Sequence, residues 1–226
     1  IAERVRIDGK SCRCVMKQDD NYIVAVSIEN IYYLRRYLMA AGSQGEFPMA
    51  FNGGLWRWNR DVLNWVTPHH WNTQQQYWGL CAQNDCQLMM PYLDTYFKMI
   101  PYGEELAKEK GAGDGALLIT EAHCFTGEQT SKDTHYLKNN FTPASQIASL
   151  FWDYYMFTDD KEYLKEKAYV FMKKASYFYL DKLEWDADKK KYFLKASLYE
   201  SAPIAFVKNP ISDRNCIEQL FKNCIQ

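Results

Sequence analysis

The sequence has no surplus of charge of either sign and no long apolar run. Its 226 residues carry 27 Lys and Arg against 28 Asp and Glu, a net charge of −1. The basic surplus that is typical of nucleic-acid-binding proteins is therefore missing. No apolar run approaches the roughly 18 residues that a membrane-spanning helix needs. We expect neither a nucleic-acid partner nor membrane insertion, while the oligomeric state stays open.

Motifs of several large enzyme classes are also absent. The sequence contains no Walker loop, no GxGxxG segment and no GxSxG segment, so nucleotide binding and serine hydrolysis lack support. No cysteine pair has the CxxC spacing of a zinc site. The seven cysteines leave at least one thiol free if the others pair. Cys81 and Cys86 lie among apolar neighbours, where cysteine acts as a small hydrophobe. We expect no cofactor and no metal.

Aromatic residues, by contrast, are abundant. They make up 16% of the chain, and five of the seven Trp fall within residues 56–78. Tryptophan mixed with Asn, His and Gln suits a half-open cleft that stacks on flat, polar ligands. An aromatic core explains the same density equally well, and composition alone does not choose between the two.

The hydrophobic periodicity predicts a mostly helical chain with long connecting loops. Thr142 is the predicted N-cap of one helix, with Pro143 at the first helical position, and Pro91 is a predicted kink or break of another. The predicted helices cover residues 21–41, 72–100, 104–110, 142–157, 160–183 and 212–226, with a long loop at 46–70, mixed strand and loop at 116–141 and a hairpin at 184–194.

Long, aromatic-rich loops argue against a simple helical bundle, whose connections are usually short. An array of α-hairpins fits better, and no internal repeat indicates a short-period solenoid. We interpret residues 1–19 as a lead-in of strand or irregular structure and residues 20–226 as part of one domain.

Two segments are candidates for the chemistry. Residues 67–78 (TPHHWNTQQQYW) carry polar and aromatic side chains where the loop passes into helix. Adjacent His69 and His70 point apart on an extended chain, so a metal site is not favoured; helix capping by Asn72 is the structural alternative. Residues 195–203 (KASLYESAP) place Glu200 among small and aromatic residues, where burial would raise its pKa as a general acid requires.

Other polar residues occupy the mixed middle stretch of the chain. We interpret Glu121, His123, Asp133 and His135 mainly as loop surface, with one of them reaching the cleft.

Residues 47–100 resemble the catalytic domain of glycoside hydrolase family 95 and its uncharacterised relatives. In that family an N-x-GLW segment precedes a stretch like H-x-N-I-N-x-x-M-N-Y-W that opens a barrel helix. Residues 52–56 (NGGLW) and 70–78 (HWNTQQQYW) occupy those places. The likeness continues at residues 149–161, 196–200 and 213–221, which are similar to the family's hxWxxYxxTxDxxF, PSxSPE and MDxxIIxxLF segments.

The resemblance implies an (α/α)6 toroid whose central cleft removes an α-linked terminal sugar, such as α-L-fucose or α-L-galactose, with inversion. The family's general acid falls on Glu200. Of the two Asn that hold the nucleophilic water, the second falls on Asn72 and the first on His70, which departs from the pattern. His70 could act as a base directly, because histidine exchanges a proton near neutral pH. The sugar contacts would come from Asn52, Trp56, His69, Trp71, Gln75 and Trp78.

The resemblance also bears on size, partner and location. Six helical hairpins need well over about 300 residues at ordinary helix and loop lengths. We therefore expect the front part of the barrel, without the Asp that makes the water basic, and an isolated chain of this length can then lack activity. The implied partner is an oligosaccharide or glycan. A periplasmic or secreted location fits the family, although no residue establishes export.

Two hypotheses compete with a hydrolase. A non-catalytic glycan-binding toroid would keep the aromatic cleft after losing the base, and the departure at His70 favours it. A purely structural helical domain would need neither the tryptophans nor Glu200 for ligand binding.

Overall fold

The computed structural model describes residues 4–7, 10–13, 20–43, 45–49, 70–121, 123–124, 126–128, 140–197 and 206–226. Contacts divide the chain into two compact units, residues 1–38 and residues 39–226. Most of the predicted loop at 46–70 lies outside the described residues. Within the described part of the chain, no helix is both long and apolar enough to cross a membrane.

The first unit begins with a two-stranded antiparallel hairpin. Strands β1 (Arg4–Ile7) and β2 (Lys10–Arg13) pair so that Val5 lies opposite Cys12. Helix α1 (Asp20–Gly42) follows. Of the two alternatives left open for residues 1–19, strand or irregular structure, the structure has strands at residues 4–7 and 10–13, and the helix predicted over residues 21–41 is confirmed.

The second unit is mostly helical and carries a small antiparallel sheet of order β3-β4-β5. Its elements are α2 (His70–Gln74), α3 (Met90–Lys98), α4 (Ile100–Glu109), α5 (Thr142–Thr158), α6 (Lys161–Tyr163), a π-helical turn (Leu164–Ala168), α7 (Tyr169–Lys182), β3 (Leu183–Asp186), β4 (Lys191–Ser197), β5 (Phe206–Lys208) and α8 (Ile211–Ile225).

The continuous helix predicted over residues 72–100 is wrong. After α2 the chain makes turns in which Gly79 (φ +81°) and Asn84 (φ +65°) adopt the left-handed conformation. Helical hydrogen bonding cannot continue through such residues, although the apolar spacing does. Pro91 then lies in the first turn of α3 and begins a helix where a kink was predicted, because proline is tolerated at that position.

Cys81 and Cys86, interpreted from the sequence as separate small hydrophobes, are joined by a disulfide. The bridge closes the turn between α2 and α3. Helical periodicity would place the two side chains apart, and the turn at Asn84 brings them together. Cys124, Cys216 and Cys224 are free thiols among the described residues.

The prediction that Thr142 is the N-cap of its helix is also wrong, because the helix begins one residue earlier than predicted. Thr142 is the first residue of α5, and its backbone N–H donates to the side-chain oxygen of Asn140 at 3.1 Å. Pro143 lies in the first turn, as predicted. Asn140 therefore satisfies a helix-terminal donor that the sequence assigned to the threonine hydroxyl.

Helices α5, α7 and α8 form the core of the second unit. Phe151 of α5 stacks on Phe171 of α7 with ring centroids 4.5 Å apart, and Phe178 meets Phe141 edge to face at 5.1 Å. Ile217 and Leu220 of α8 are buried on the same core. The amphipathic face predicted for the last helix is confirmed at these two positions.

An extended segment, residues 116–120, is held between α4 and α7. The N–H of Leu117 donates to the carbonyl of Lys174 at 2.9 Å, and that of Leu118 donates to the carbonyl of Gly103 at 3.1 Å. Residues 116–120 are all buried. Because this segment leads directly into Glu121, the contact with α4 sets the position of that side chain.

Gly103 permits this close approach, and we expect Gly103→Ala to lower the free energy of unfolding by about 2 kcal/mol through overpacking. An added Cβ would meet the Leu117 side chain and lie 2.8 Å from the carbonyl oxygen of Leu118, which is backbone and cannot rotate away. Denaturant unfolding of the purified protein would measure the loss. Gly113→Ala is the matched control, since its Cβ would meet only the carboxylate of Asp181 at 3.2 Å. Equal stability of both variants would contradict the prediction.

Candidate functional site

Glu121 and His70 form a buried pair at the start of α2. The side chains are 1% and 0% exposed, and Nδ1 of His70 lies 2.9 Å from Oε2 of Glu121. The other carboxylate oxygen accepts a hydrogen bond from the backbone N–H of Trp71 at 2.9 Å, and the Glu121 carbonyl accepts from the N–H of His70 at 2.8 Å. Glu121 thus satisfies two of the free N–H groups of α2 and orients the imidazole.

The interpretation of Glu121 and His123 as loop surface is therefore wrong, since both are buried. Their loop is drawn inward because residues 116–120 are packed between two helices. The rings of His123 and Tyr96 of α3 meet edge to face, with centroids 5.3 Å apart. Asp133 and His135 lie outside the described residues.

The two sides of α2 and the turn after it have different surroundings. His70, Thr73, Gln74 and Tyr77 are buried, whereas Gln75 and Trp78 are exposed. Trp78 meets Trp71 edge to face, with ring centroids 5.5 Å apart. The imidazole of His70 is therefore enclosed by the protein, whereas the tryptophan pair is partly open to solvent. Asn72 is half-buried.

A polar contact continues from α2 across to α5. The amide nitrogen of Gln74, one turn after His70, donates to the amide oxygen of Gln146 at 2.9 Å. Gln146 in turn hydrogen-bonds the thiol of Cys216 on α8. Burial raises the pKa of this thiol, and the hydrogen bond opposes the rise. A polar layer, which we define as the buried Glu121, His70, Gln74 and Asp213 together with the half-buried Gln146, thus reaches from the segment before α2 to the first turn of α8.

Asp213 is the charged end of this layer. Its side chain is buried, and desolvation raises its pKa to about 6 from the usual 3.8. The Ser212 hydroxyl donates to Oδ2 of the carboxylate at 3.1 Å and opposes part of that rise. Tyr179 of α7 lies close enough for the Asp213 charge to raise its pKa further, after desolvation as the main cause. A carboxyl with this pKa gains or loses its proton at a pH slightly below neutral.

Several buried polar atoms in and beside this layer have no hydrogen-bond partner among the described residues. Such atoms are rare in folded proteins and commonly face water or a ligand. They are Nε2 of His70, Oε1 of Gln74, Oγ1 of Thr120 and Nδ2 of Asn140.

Behind α2, a set of buried tyrosines supports the layer. The hydroxyl of Tyr77 accepts a hydrogen bond from the N–H of Met49 at 2.7 Å and pairs with the Ser43 hydroxyl at 2.8 Å. Its ring stacks on Tyr92 at 4.4 Å, and Tyr92 meets Tyr96 at 4.8 Å. Burial raises the pKa of Tyr77 to about 12, so this hydroxyl stays protonated. These contacts fix the inner side of α2.

The structure places only part of the predicted site. His70, Asn72, Trp71, Gln75 and Trp78 are described, and only His70 among them is fully buried. The remaining predicted residues, Asn52, Trp56, His69 and Glu200, lie outside the described residues.

Two members of the polar layer, Gln146 and Asp213, are not predicted as site residues from the sequence, and Glu121 is predicted mainly as loop surface. Gln146 interrupts the apolar side of a helix, and Asp213 lies at the start of the last amphipathic helix, so each gives a weak signal of a polar position facing the core. Glu121 had a similar signal, since it follows the buried apolar run of residues 116–119.

A family model for the glycosyl hydrolase family 95 catalytic domain matches residues 10–226. The chain belongs to this family. The resemblance noted in its motifs is thereby confirmed over nearly the whole chain.

Two further comparisons agree with the family. Alpha-L-fucosidase 2 of Arabidopsis thaliana is 26% identical over 175 residues, which are 75% of this chain and 20% of that protein. A solved structure named "Putative kojibiose phosphorylase from human microbiome" matches with a TM-score of 0.50 and 14% identity, covering 62% of this chain and 20% of that one. The fold is therefore that of the (α/α)6 toroid class, and this chain spans about a fifth of the length of the fucosidase.

Proposed function

We propose that the chain is part of the catalytic domain of a hydrolase that removes an α-linked terminal sugar, such as α-L-fucose or α-L-galactose, with inversion. The observation that carries the proposal is the buried His70–Glu121 pair, which leaves an unpartnered ring nitrogen two residues before Asn72. The family match and the fucosidase relative support the reaction class. They favour a hydrolase over a non-catalytic glycan-binding toroid.

In this proposal two groups act on opposite faces of the sugar. The Glu200 carboxylic acid gives its proton to the glycosidic oxygen as the bond from that oxygen to the anomeric carbon breaks. Asn72 and His70 hold and activate a water whose oxygen bonds to the same carbon from the other face. The product sugar then has the opposite anomeric configuration, and the leaving oxygen departs as an alcohol.

The remaining proposed residues bind the sugar. Trp71 and Trp78 form an edge-to-face pair with Trp78 46% exposed, which leaves aromatic surface on which a sugar ring can pack. We assign the same role to Asn52, Trp56, His69 and Gln75, through aromatic contact or hydrogen bonds to hydroxyl groups.

A panel of aryl glycosides tests the proposal on the full-length protein that contains this chain. We expect hydrolysis of the α-L-fucoside or the α-L-galactoside and little hydrolysis of the β-anomers. Proton NMR of the first product formed, recorded before mutarotation, would show the inverted anomer. Retention of configuration would overturn the inverting mechanism, and absence of hydrolysis across the panel would overturn the substrate class.

A further inference from the structure

The pair of His70 and Glu121 has a geometry that decides which ring nitrogen carries the proton. Nδ1 of His70 faces a carboxylate oxygen at 2.9 Å, and an ionised carboxylate only accepts hydrogen bonds. Opposite an ionised Glu121, Nδ1 is the nitrogen that donates. In the neutral imidazole this tautomer leaves a lone pair on Nε2, which is buried without a hydrogen-bond partner among the described residues.

We propose that Glu121 fixes His70 as the Nδ1-protonated tautomer and that Nε2 of His70 is the base that takes a proton from the attacking water. This inference rests on the proposed hydrolase function and adds Glu121 as a positioning residue. As the water oxygen bonds to the anomeric carbon, one water proton passes to Nε2, and the leaving oxygen takes the proton of Glu200. The positive charge that forms on the imidazole is balanced by Glu121.

Three features favour a base over a merely structural pair. The Glu121 carboxylate is anchored by the N–H of Trp71 as well as by the ring, so it cannot turn away from Nδ1. The His70 backbone is anchored by the Glu121 carbonyl. A ring that served only to cap α2 would need no lone pair in the polar layer, where an unsatisfied acceptor is unfavourable.

Titratable side chains of α3 and α8 surround the pair. Burial raises the pKa values of Tyr92 and Tyr96 of α3, and the nearby Glu121 charge raises them further, so both hydroxyls stay protonated. His123 lies beyond Tyr96. Asp213 and Cys216 of α8 lie farther away, behind Gln74 and Gln146. Glu121 is thus the carboxylate in direct contact with the ring among the described residues.

Glu121→Gln in the full-length protein is the kinetic test. The variant keeps the shape of the side chain but removes the charge, and we expect kcat/KM to fall about 10- to 100-fold, mostly through kcat. In a His70→Asn background the same change should have little effect, since the two residues act as a unit. Glu104→Gln, which removes the ion-pair partner of Lys174 between α4 and α7, is the control and should leave kcat/KM unchanged.

A second measurement determines the tautomer in the wild-type protein. In protein labelled with ¹⁵N-histidine, we expect one imidazole whose Nδ1 is protonated and whose Nε2 is not at neutral pH, and His70→Asn serves to assign its signals. An Nε2-protonated ring, a doubly protonated ring at neutral pH, or an unchanged kcat/KM in Glu121→Gln would overturn the inference while hydrolysis by the wild type still supports the proposed function. Failure of the wild type to hydrolyse any glycoside would instead overturn the function and, with it, the role of the base.

Discussion

Replacing Glu200 with glutamine is expected to lower kcat of the full-length protein about 10²- to 10⁴-fold, because the glycosidic oxygen then leaves without a proton donor. Glutamine has nearly the same shape and keeps its hydrogen-bonding capacity, so binding of the sugar should survive. Kinetic assays on an alkyl glycoside would measure the loss of turnover, and calorimetry with the free sugar would measure the binding.

The dependence on the leaving group makes this test specific for a general acid. A dinitrophenyl glycoside departs without protonation, so the Glu200→Gln variant should lose far less activity on it than on an alkyl glycoside. Glu218→Gln on α8 is the control, since this exposed carboxylate pairs only with Lys222 one turn away among its described contacts. An equal loss on both substrates, or undiminished hydrolysis, would remove Glu200 from the role.

Asp213→Asn is expected to change how the free energy of unfolding depends on pH, and this is the second large effect. Burial raises the pKa of Asp213 to about 6, against 3.8 as its usual value. Well below pH 3.8 the carboxyl is protonated in the folded and the unfolded chain alike. As the pH rises toward 6, the unfolded chain ionises first, so the wild type loses stability. The difference of about 2 pH units corresponds to about 3 kcal/mol.

The asparagine variant does not titrate and should therefore lack this loss. We expect the free energy of unfolding of the wild type, relative to Asp213→Asn, to fall by about 2 kcal/mol between pH 4 and pH 7. Urea unfolding of both proteins at several pH values would measure it. Parallel curves for the two proteins would show that Asp213 is not buried as a neutral acid.

Asp114→Asn is a control of opposite sign. Asp114 is exposed, and a hydrogen bond from Lys108 lowers its pKa. Its contribution to stability is therefore present above the usual pKa and is lost as the pH falls, so the wild type should lose stability relative to Asp114→Asn toward acid pH.

The candidate site is predictable from the sequence only in part. The segment from His70 to Trp78 was identified from its composition and motif, yet its division into a buried polar side and an open aromatic side was not. That division follows from the left-handed Gly79 and Asn84 and from the tyrosines that fix the inner side of α2. It also explains how His70 and Trp78 can have different roles within nine residues.

Secondary-structure elements that depend on contacts between residues close in sequence are predictable. The helices at α1, α5 and α8 and the hairpin of β3 and β4 follow from apolar spacing and turn residues. The start of α6 follows from Asp160, whose carboxylate accepts from the N–H of Tyr163 at 2.9 Å. Each of these depends on contacts within one or two turns, and local propensity and periodicity report such contacts directly.

The sequence by itself determined that this chain is mostly helical, has its aromatic and polar residues concentrated in one segment, and carries the motifs of glycoside hydrolase family 95. Only the tertiary structure decided that Glu121 is a buried partner of His70, 51 positions away, and that Gln74 meets Gln146, 72 positions away. In the sequence, a polar loop residue looks the same whether its hydrogen bonds are made to water or to a distant side chain. The burial of Glu121 is set by the packing of residues 116–120 between α4 and α7, which no local pattern encodes.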